Sequence, residues 1–155
     1  MKPSPTFATL VEVATRRRDE ALQVLGQAQR EHQQAQLQMA QLQGYSAESV
    51  QRWSHRAAQG FSPALLRTHQ AFMGKLDHAV TFQQGVLARL QLHIDHCREQ
   101  WLVAERELAS LQKYQERRHT TWQRQLERQD QKSNDEMAAN LHRHTPGHHD
   151  WKHSS

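Results

Sequence analysis

The chain has 155 residues, a formal net charge of +4 and a mean hydropathy of −0.95. Aromatic residues make up only 6% of it, so we do not expect a large globular core, whereas two packed helices need few apolar residues. No apolar run approaches the ~20 residues that span a bilayer, and no hydrophobic segment follows Lys2 to form a secretory signal. These properties favour a cytoplasmic, helical protein.

The first predicted helix covers residues 5 to about 58 and begins at Ser4-Pro5, a capping hydroxyl followed by proline. Its small and apolar residues recur at alternating steps of four and three, the spacing of coiled-coil core positions: Phe7, Val11, Ala14, Arg18, Ala21, Leu25, Ala28, His32, Ala35, Met39 and Leu42. This spacing is lost after Gly44. We therefore expect residues 44–59 to be either a distorted helix or a partly open loop.

The second predicted helix covers residues 63 to about 140. It follows Gly60, which suits a left-handed backbone at a helix end, and Ser62-Pro63, a second capping pair. Its core positions carry larger residues: Leu76, Val80, Gln83, Leu87, Leu90, Ile94, Cys97, Trp101, Ala104, Leu108, Leu111, Gln115, Arg118 and Trp122.

Folding the chain back at residue 61 pairs the two sets of core positions in one antiparallel register. The facing residues have numbers that add to 122, so Ala14 meets Leu108 and Ala28 meets Ile94. Small residues repeatedly oppose large ones, as required for layers that fill space without voids. The predicted fold class is all-α: a long antiparallel two-helix coiled-coil hairpin over residues 1–140, in which the segment after Gln115 has no partner helix.

Residues 141–155 form the last predicted segment, a disordered His-rich tail. Elsewhere, His93 and His96 have the three-residue spacing of a metal chelate on a helix, but no further ligand is specified, and we interpret them as solvated. Cys97 occupies a core position, which is typical of a packed thiol in a reducing compartment. Without phosphate-binding glycine loops or catalytic motifs, the sequence predicts no enzyme activity, no cofactor and no metal.

Charged and aromatic residues mark two possible interaction regions. Acidic residues are interspersed among the basic ones, so we do not expect nucleic-acid binding. Five aromatic residues cluster around the turn, either as a partner surface or as residues that finish the turn: Tyr45, Trp53, Phe61, Phe72 and Phe82.

The order and spacing of several short motifs resemble those of the flagellar FliJ family over residues 5–140. The motifs are Phe7-x-x-Leu10, Leu25-Gly26, Gln33-Gln34-Ala35, Leu42-x-x-Tyr45, Gln70-Ala71-Phe72, Leu76-x-x-Ala79, Trp101, Leu108 to Gln112, Asp130-Gln131-Lys132 and Asp135-Glu136. The resemblance implies a coiled-coil stalk of the flagellar type III export apparatus, needed for flagellum assembly and motility. It implies three partners: the hexameric export ATPase FliI, the membrane export-gate protein FlhA, and export chaperones. The implied location is the cytoplasm, peripherally at the inner face of the cell membrane.

The resemblance also assigns residues to the implied partners. Six positions match the family's gate-contacting surface: Gln38, Leu42, Tyr45, Phe72, Leu76 and Ala79. Ser49 and Gln83 depart from it, since relatives carry an aromatic residue and a histidine there. The basic residues at the opposite end are candidates for ATPase contact: Arg16, Arg17, Arg117, Arg118 and Arg124. Two alternative functions remain open, the equivalent stalk of a virulence type III system and a generic cytosolic coiled-coil adaptor.

Overall fold

A computed structural model describes residues 5–144, which form two helices: α1, Pro5–Ala57, and α2, Pro63–His144. The prediction of an all-α chain with two long helices is confirmed. α2 runs four residues past its expected end, so that His142 and His144 are helical. The rest of the expected tail, from residue 145 onward, lies outside the described residues, as does the predicted cap at Ser4.

The turn between the helices has the predicted chemistry. Gly60 has a φ of +97°, a conformation that glycine adopts without a Cβ penalty. The hydroxyl oxygen of Ser62 accepts a hydrogen bond from the Leu65 amide at 3.2 Å, which satisfies one of the free N–H groups at the start of α2. At the end of α1, the Gly60 amide donates to the Ala57 carbonyl at 3.1 Å.

The structure corrects the prediction for residues 44–59. α1 continues through Ala57, so an open loop is wrong. The coiled-coil spacing also continues through three positions that are partly buried, Ser46, Ser49 and Trp53; Ala57 is partly buried too, but a step of four rather than three separates it from Trp53. Serine at two of these positions hides the apolar pattern in the sequence, although its side chain is small enough to fit a helix contact.

The chain divides into two compact units. The hairpin unit comprises residues 13–108, and the terminal unit comprises the described residues 5–12 and 109–144. In the hairpin unit, α1 and α2 pack antiparallel around a cluster of Leu25, Ala28, Ile94 and Cys97, with Trp101 against it. Leu25 with Cys97, and Ala28 with Ile94, are the facing pairs expected from the register.

Two further contacts support the same register at other heights of the hairpin unit. Trp53 stacks on His69 with ring centroids 4.3 Å apart, a pair whose numbers also add to 122. Arg17 forms an ion pair with Glu107 at 3.6 Å, at positions that flank the core. The repeat is therefore maintained from the turn to the far end of this unit.

Gln83 is a polar side chain at a core position. Its amide nitrogen donates to the Ala35 carbonyl at 2.9 Å and to the Gln38 side-chain oxygen at 3.2 Å. Because a buried amide without partners costs about 1–3 kcal/mol, these bonds favour the one register in which Gln83 reaches both acceptors.

In the terminal unit, Phe7 contacts Tyr114 with ring centroids 5.1 Å apart, and the Arg118 guanidinium lies 5.7 Å from the Tyr114 ring centroid. Trp122 is partly buried, whereas every side chain from residue 123 to 144 is exposed. The side chains of α2 are thus all exposed after Trp122. The sequence predicted that α2 would lose its partner helix slightly earlier, after Gln115.

A disulfide test checks the register of the hairpin unit. In a Cys97→Ser background, we expect cysteines introduced by Ala28→Cys and Ile94→Cys to crosslink within one chain upon mild oxidation, because these positions face each other in one buried cluster. Mobility on non-reducing gels reports the crosslink, and Leu37→Cys with Leu92→Cys, both at exposed positions, serves as the control. A crosslink that joins only separate chains would contradict the antiparallel pairing.

Candidate protein-binding site

The six positions matched to a gate-contacting surface all lie in the hairpin unit, near the turn. α1 contributes Gln38, Leu42 and Tyr45, and α2 contributes Phe72, Leu76 and Ala79. Each set has steps of four and three, so its members lie on one face of their helix. The structure thus places each set as a stripe beside or within the interhelical contact.

The two leucines of this surface pack in the interhelical contact, and the two aromatic residues do not. Leu42 and Leu76 are partly buried, while Tyr45 is 60% exposed and Phe72 is 48% exposed. Partial exposure lets the leucines serve the coiled-coil core and still present an edge to a partner. The two large rings and Gln38 form the exposed part of the surface.

Gln38 is held in place by Gln83, one of the two positions that depart from the family pattern. The Gln83 amide that donates to Gln38 also binds the backbone of α1, so it fixes the Gln38 side chain beside the helix contact. A glutamine here therefore links the Gln38 side chain to α2 by a hydrogen bond without being exposed itself.

A groove of about 280 Å³ adjoins the surface at Phe72 and extends toward the turn. Both helices line it, through Ser49, Arg52, Trp53, Arg56, Leu65, Thr68, His69 and Phe72. Apart from the Phe72 assignment, sequence reasoning missed this groove because it took residues 44–59 as irregular. One sequence feature could have indicated a binding surface here: residues 49–76 contain no aspartate or glutamate.

The five aromatic residues near the turn divide into two groups. Trp53 lies against both His69 and Phe61, and its ring is 5.3 Å from Phe61 between centroids, so these two aromatic residues help to close the turn. Phe61 is nevertheless 49% exposed, as much as Phe72 at 48%, and Tyr45 and Phe82 are more exposed still. Ring contacts at the turn are thus observed for Trp53 and Phe61, while the partner-surface interpretation stays a prediction.

The basic residues proposed to contact an ATPase lie in both units. In the hairpin unit, Arg16 and Arg17 are exposed, and Arg17 pairs with Glu107. In the terminal unit, Arg117 and Arg124 line one shallow depression on α2, while Arg118 lies over Tyr114. All of these side chains except Arg118 are exposed to solvent, so they are accessible to a partner.

The histidines and the cysteine of the described residues are not arranged as a metal site. His93 lies 3.7 Å from the Cys97 sulfur through its Nε2 atom, and Cys97 is buried. Among residues 5–144, no three histidine, cysteine, aspartate or glutamate side chains are grouped to hold a metal ion. Within the same residues, neither helix has the long apolar stretch that crossing a membrane requires.

Comparisons with known proteins show the family of this chain. The family model described as Flagellar FliJ protein matches residues 2–147. The flagellar FliJ protein of Escherichia coli strain K12 is 28% identical over 132 residues, which cover 85% of this chain and 90% of that protein. With nearly the whole chain matched and two long helices observed, the protein belongs to the flagellar FliJ family.

Proposed function

We propose that this protein is a coiled-coil stalk of the flagellar type III export apparatus that links the export ATPase ring to the membrane export gate and assists export chaperones. Family membership supports a role in flagellar protein export. The observation that carries the finer proposal is the exposed aromatic stripe near the turn, where Tyr45 and Phe72 lie beside the half-buried Leu42 and Leu76. Exposed aromatic residues next to a packed contact are typical anchors of protein interfaces.

The hairpin unit has the mechanical properties that a stalk needs. Buried layers at Ala14, Ala28, Ala35 and Met39 keep α1 against its partner helix along the unit, so the pair resists bending more than a single helix does. Such a unit can transmit a displacement along its axis. The cytoplasmic face of the membrane is the proposed location, reached through the partners.

The proposed ATPase contact is separated from the gate contact along α1. Tyr45 and Arg17 are separated by roughly 40 Å at 1.5 Å of helix rise per residue. Side-chain changes at one end should therefore leave binding at the other end intact, provided that the helix pair stays folded.

A double substitution tests the gate-contacting surface. We expect Tyr45→Ala with Phe72→Ala to retain helix content, since both rings are exposed, but to weaken binding to the export-gate protein by about 100-fold, as loss of two aromatic anchors at ~1–2 kcal/mol each implies. Swimming motility should fall with it, while binding to the export ATPase should persist. Circular dichroism, pull-down with each purified partner and soft-agar motility provide the measurements.

Phe82→Ala is the control, because Phe82 is a still more exposed aromatic residue, at 69%, outside the six positions. It should bind both partners as the wild-type chain does. A folded double variant that keeps full gate binding and full motility would rule out this surface. Loss of helix content in the double variant would instead assign the two rings a structural role.

The flagellar assignment is favoured over the two alternatives by the family match. A stalk of a virulence system would share the mechanics of the hairpin, and a generic adaptor would share its fold. Neither alternative is supported by a separate feature of this chain.

A further inference from the structure

The groove beside Phe72 has apolar walls and a basic rim. Trp53 from α1 and Leu65 and Phe72 from α2 supply the apolar surface. The Arg52 and Arg56 side chains lie on the α1 side of the same groove. Since His69 stacks flat against Trp53, with 7° between their rings, one wall is preformed. A shallow space of about 280 Å³ lined in this way suits one large apolar side chain with negatively charged neighbours.

The segment that lines the groove, residues 49–76, carries only basic charges. Residues 49–76 contain three arginines, one lysine and two histidines but no acidic residue, although the whole chain has 16 aspartates and glutamates. Arg52 forms an ion pair with Glu48 at 3.4 Å, and both side chains are mostly exposed. Because an exposed ion pair is weak, the carboxylate of a partner can replace that of Glu48. Among residues 5–144, no carboxylate pairs with Arg56. The rim therefore offers guanidinium groups to an incoming anionic group.

Two classes of partner have negative charge that would complement this basic rim: an acidic peptide and an anionic membrane. A bilayer surface is flat on the scale of a side chain and would meet the rim without filling the space between the helices. A peptide can insert a side chain between Trp53, Leu65 and Phe72 and place its carboxylates at the arginines. Arginine favours this arrangement because its planar guanidinium binds a carboxylate through two parallel hydrogen bonds.

We propose that the groove binds an acidic peptide segment that inserts one large apolar side chain between Trp53, Leu65 and Phe72 and pairs its carboxylates with Arg52 and Arg56. This inference deepens the proposed function, on which it rests: it assigns the chemistry of the partner segment and extends the binding surface from Phe72 toward the turn.

Peptide selection tests the groove without assuming which protein supplies the segment. A library of randomised 12-residue peptides displayed on phage is selected on the full-length chain and, in parallel, on the Arg52→Glu, Arg56→Glu variant. We expect the wild-type selection to enrich peptides that combine two or more acidic residues with one aromatic or long aliphatic residue. The variant should bind a synthetic form of such a peptide at least about 10-fold more weakly, because its carboxylates then meet like charges.

Three comparisons sharpen the result. Arg30→Glu with Arg89→Glu, a double charge reversal away from the groove, should keep wild-type peptide affinity. A peptide with lysine in place of its acidic residues should bind the Arg52→Glu, Arg56→Glu variant better than it binds the wild-type chain. Leu65→Ser should weaken binding of the acidic peptide while leaving the two arginines in place.

Several outcomes would overturn the proposal. Enrichment of peptides without acidic residues would do so, as would equal affinity for the wild-type chain and the Arg52→Glu, Arg56→Glu variant. Binding to vesicles of phosphatidylglycerol with no peptide enriched would assign the surface to a membrane instead. Pull-down of the intact export-gate protein distinguishes this inference from the proposed gate contact. If substitution of both arginines and of Leu65 leaves gate binding unchanged, only this inference is wrong. If the chain binds the peptide but not the gate protein, only the proposed gate contact is wrong.

Discussion

Replacing Ile94 with aspartate is expected to remove most of the stability of the hairpin unit. Ile94 is 5% exposed and packs in the cluster with Leu25, Ala28 and Cys97. The substitution deletes apolar contacts worth about 2–5 kcal/mol and places a carboxylate among apolar side chains, which adds several kcal/mol. We expect the free energy of unfolding, measured by urea titration with circular dichroism, to fall by about 4 kcal/mol or more.

The loss of stability in Ile94→Asp should depend on pH in a defined direction. Burial raises the pKa of the introduced carboxyl in the folded chain above its unfolded value of about 3.9. The folded state therefore binds the proton more tightly, so the charge penalty is absent below about pH 4 and grows as pH rises through the folded-state pKa. Relative to the wild-type chain, the variant should be least destabilised in acid.

Leu92→Asp is the matched control, two residues away on the same helix. Leu92 is 69% exposed, so its replacement should cost less than about 1 kcal/mol, mainly through the lower helix propensity of aspartate. Equal destabilisation by the two aspartates would mean that Ile94 is not in a buried layer and would contradict the assigned helix face.

Leu108→Ala is expected to lower the free energy of unfolding by about 2–5 kcal/mol, the usual range for a buried leucine truncated to alanine. Leu108 is 2% exposed, the most buried large side chain among residues 5–144. The register places it opposite Ala14, which is also buried and too small to fill the space that the leucine leaves. Val103→Ala, at a half-exposed position of the same helix, should cost much less.

A swap of the two side chains makes the test specific to the register. Adding Ala14→Leu to Leu108→Ala restores the volume of the layer from the other helix, so the double variant should regain at least about 1 kcal/mol of the loss. Ala14→Leu alone should destabilise, by roughly 1–3 kcal/mol, because it overpacks a filled layer. Strictly additive losses in the double variant would show that residues 14 and 108 do not share a layer.

The coiled-coil register could be predicted because its signal is repeated along the chain. Each of the core positions predicted from Phe7 to Leu42 and from Leu76 to Trp122 is buried or partly buried. A shift of the register would have moved every alanine away from the large residue that it faces. The whole repeat therefore has to agree with one register. The caps at Gly60 and Ser62 were predictable for a different reason, since their backbone chemistry is local.

The residues nearest the turn were harder to predict. Ser46 and Ser49 occupy core positions, but a polarity pattern assigns serine to the surface, so it predicts an irregular segment where the helix is regular. The consequence was a missed groove, because its α1 wall consists of residues 49–56. The roles of Trp53 and Phe61, in contrast to Tyr45 and Phe72, likewise depend on which ring meets which neighbour across the turn.

The sequence by itself determined the helical class, the turn, the antiparallel register and the family resemblance. Heptad spacing, caps and motif order depend only on the order of residues along the chain. Only the tertiary structure decided which residues on the flanks of the core remain accessible and which are covered. Exposure at Tyr45 and burial at Gln83 depend on the side chains that the opposite helix brings to the same height. The groove between Arg52 and Leu65 exists for the same reason, since neither helix alone has two walls.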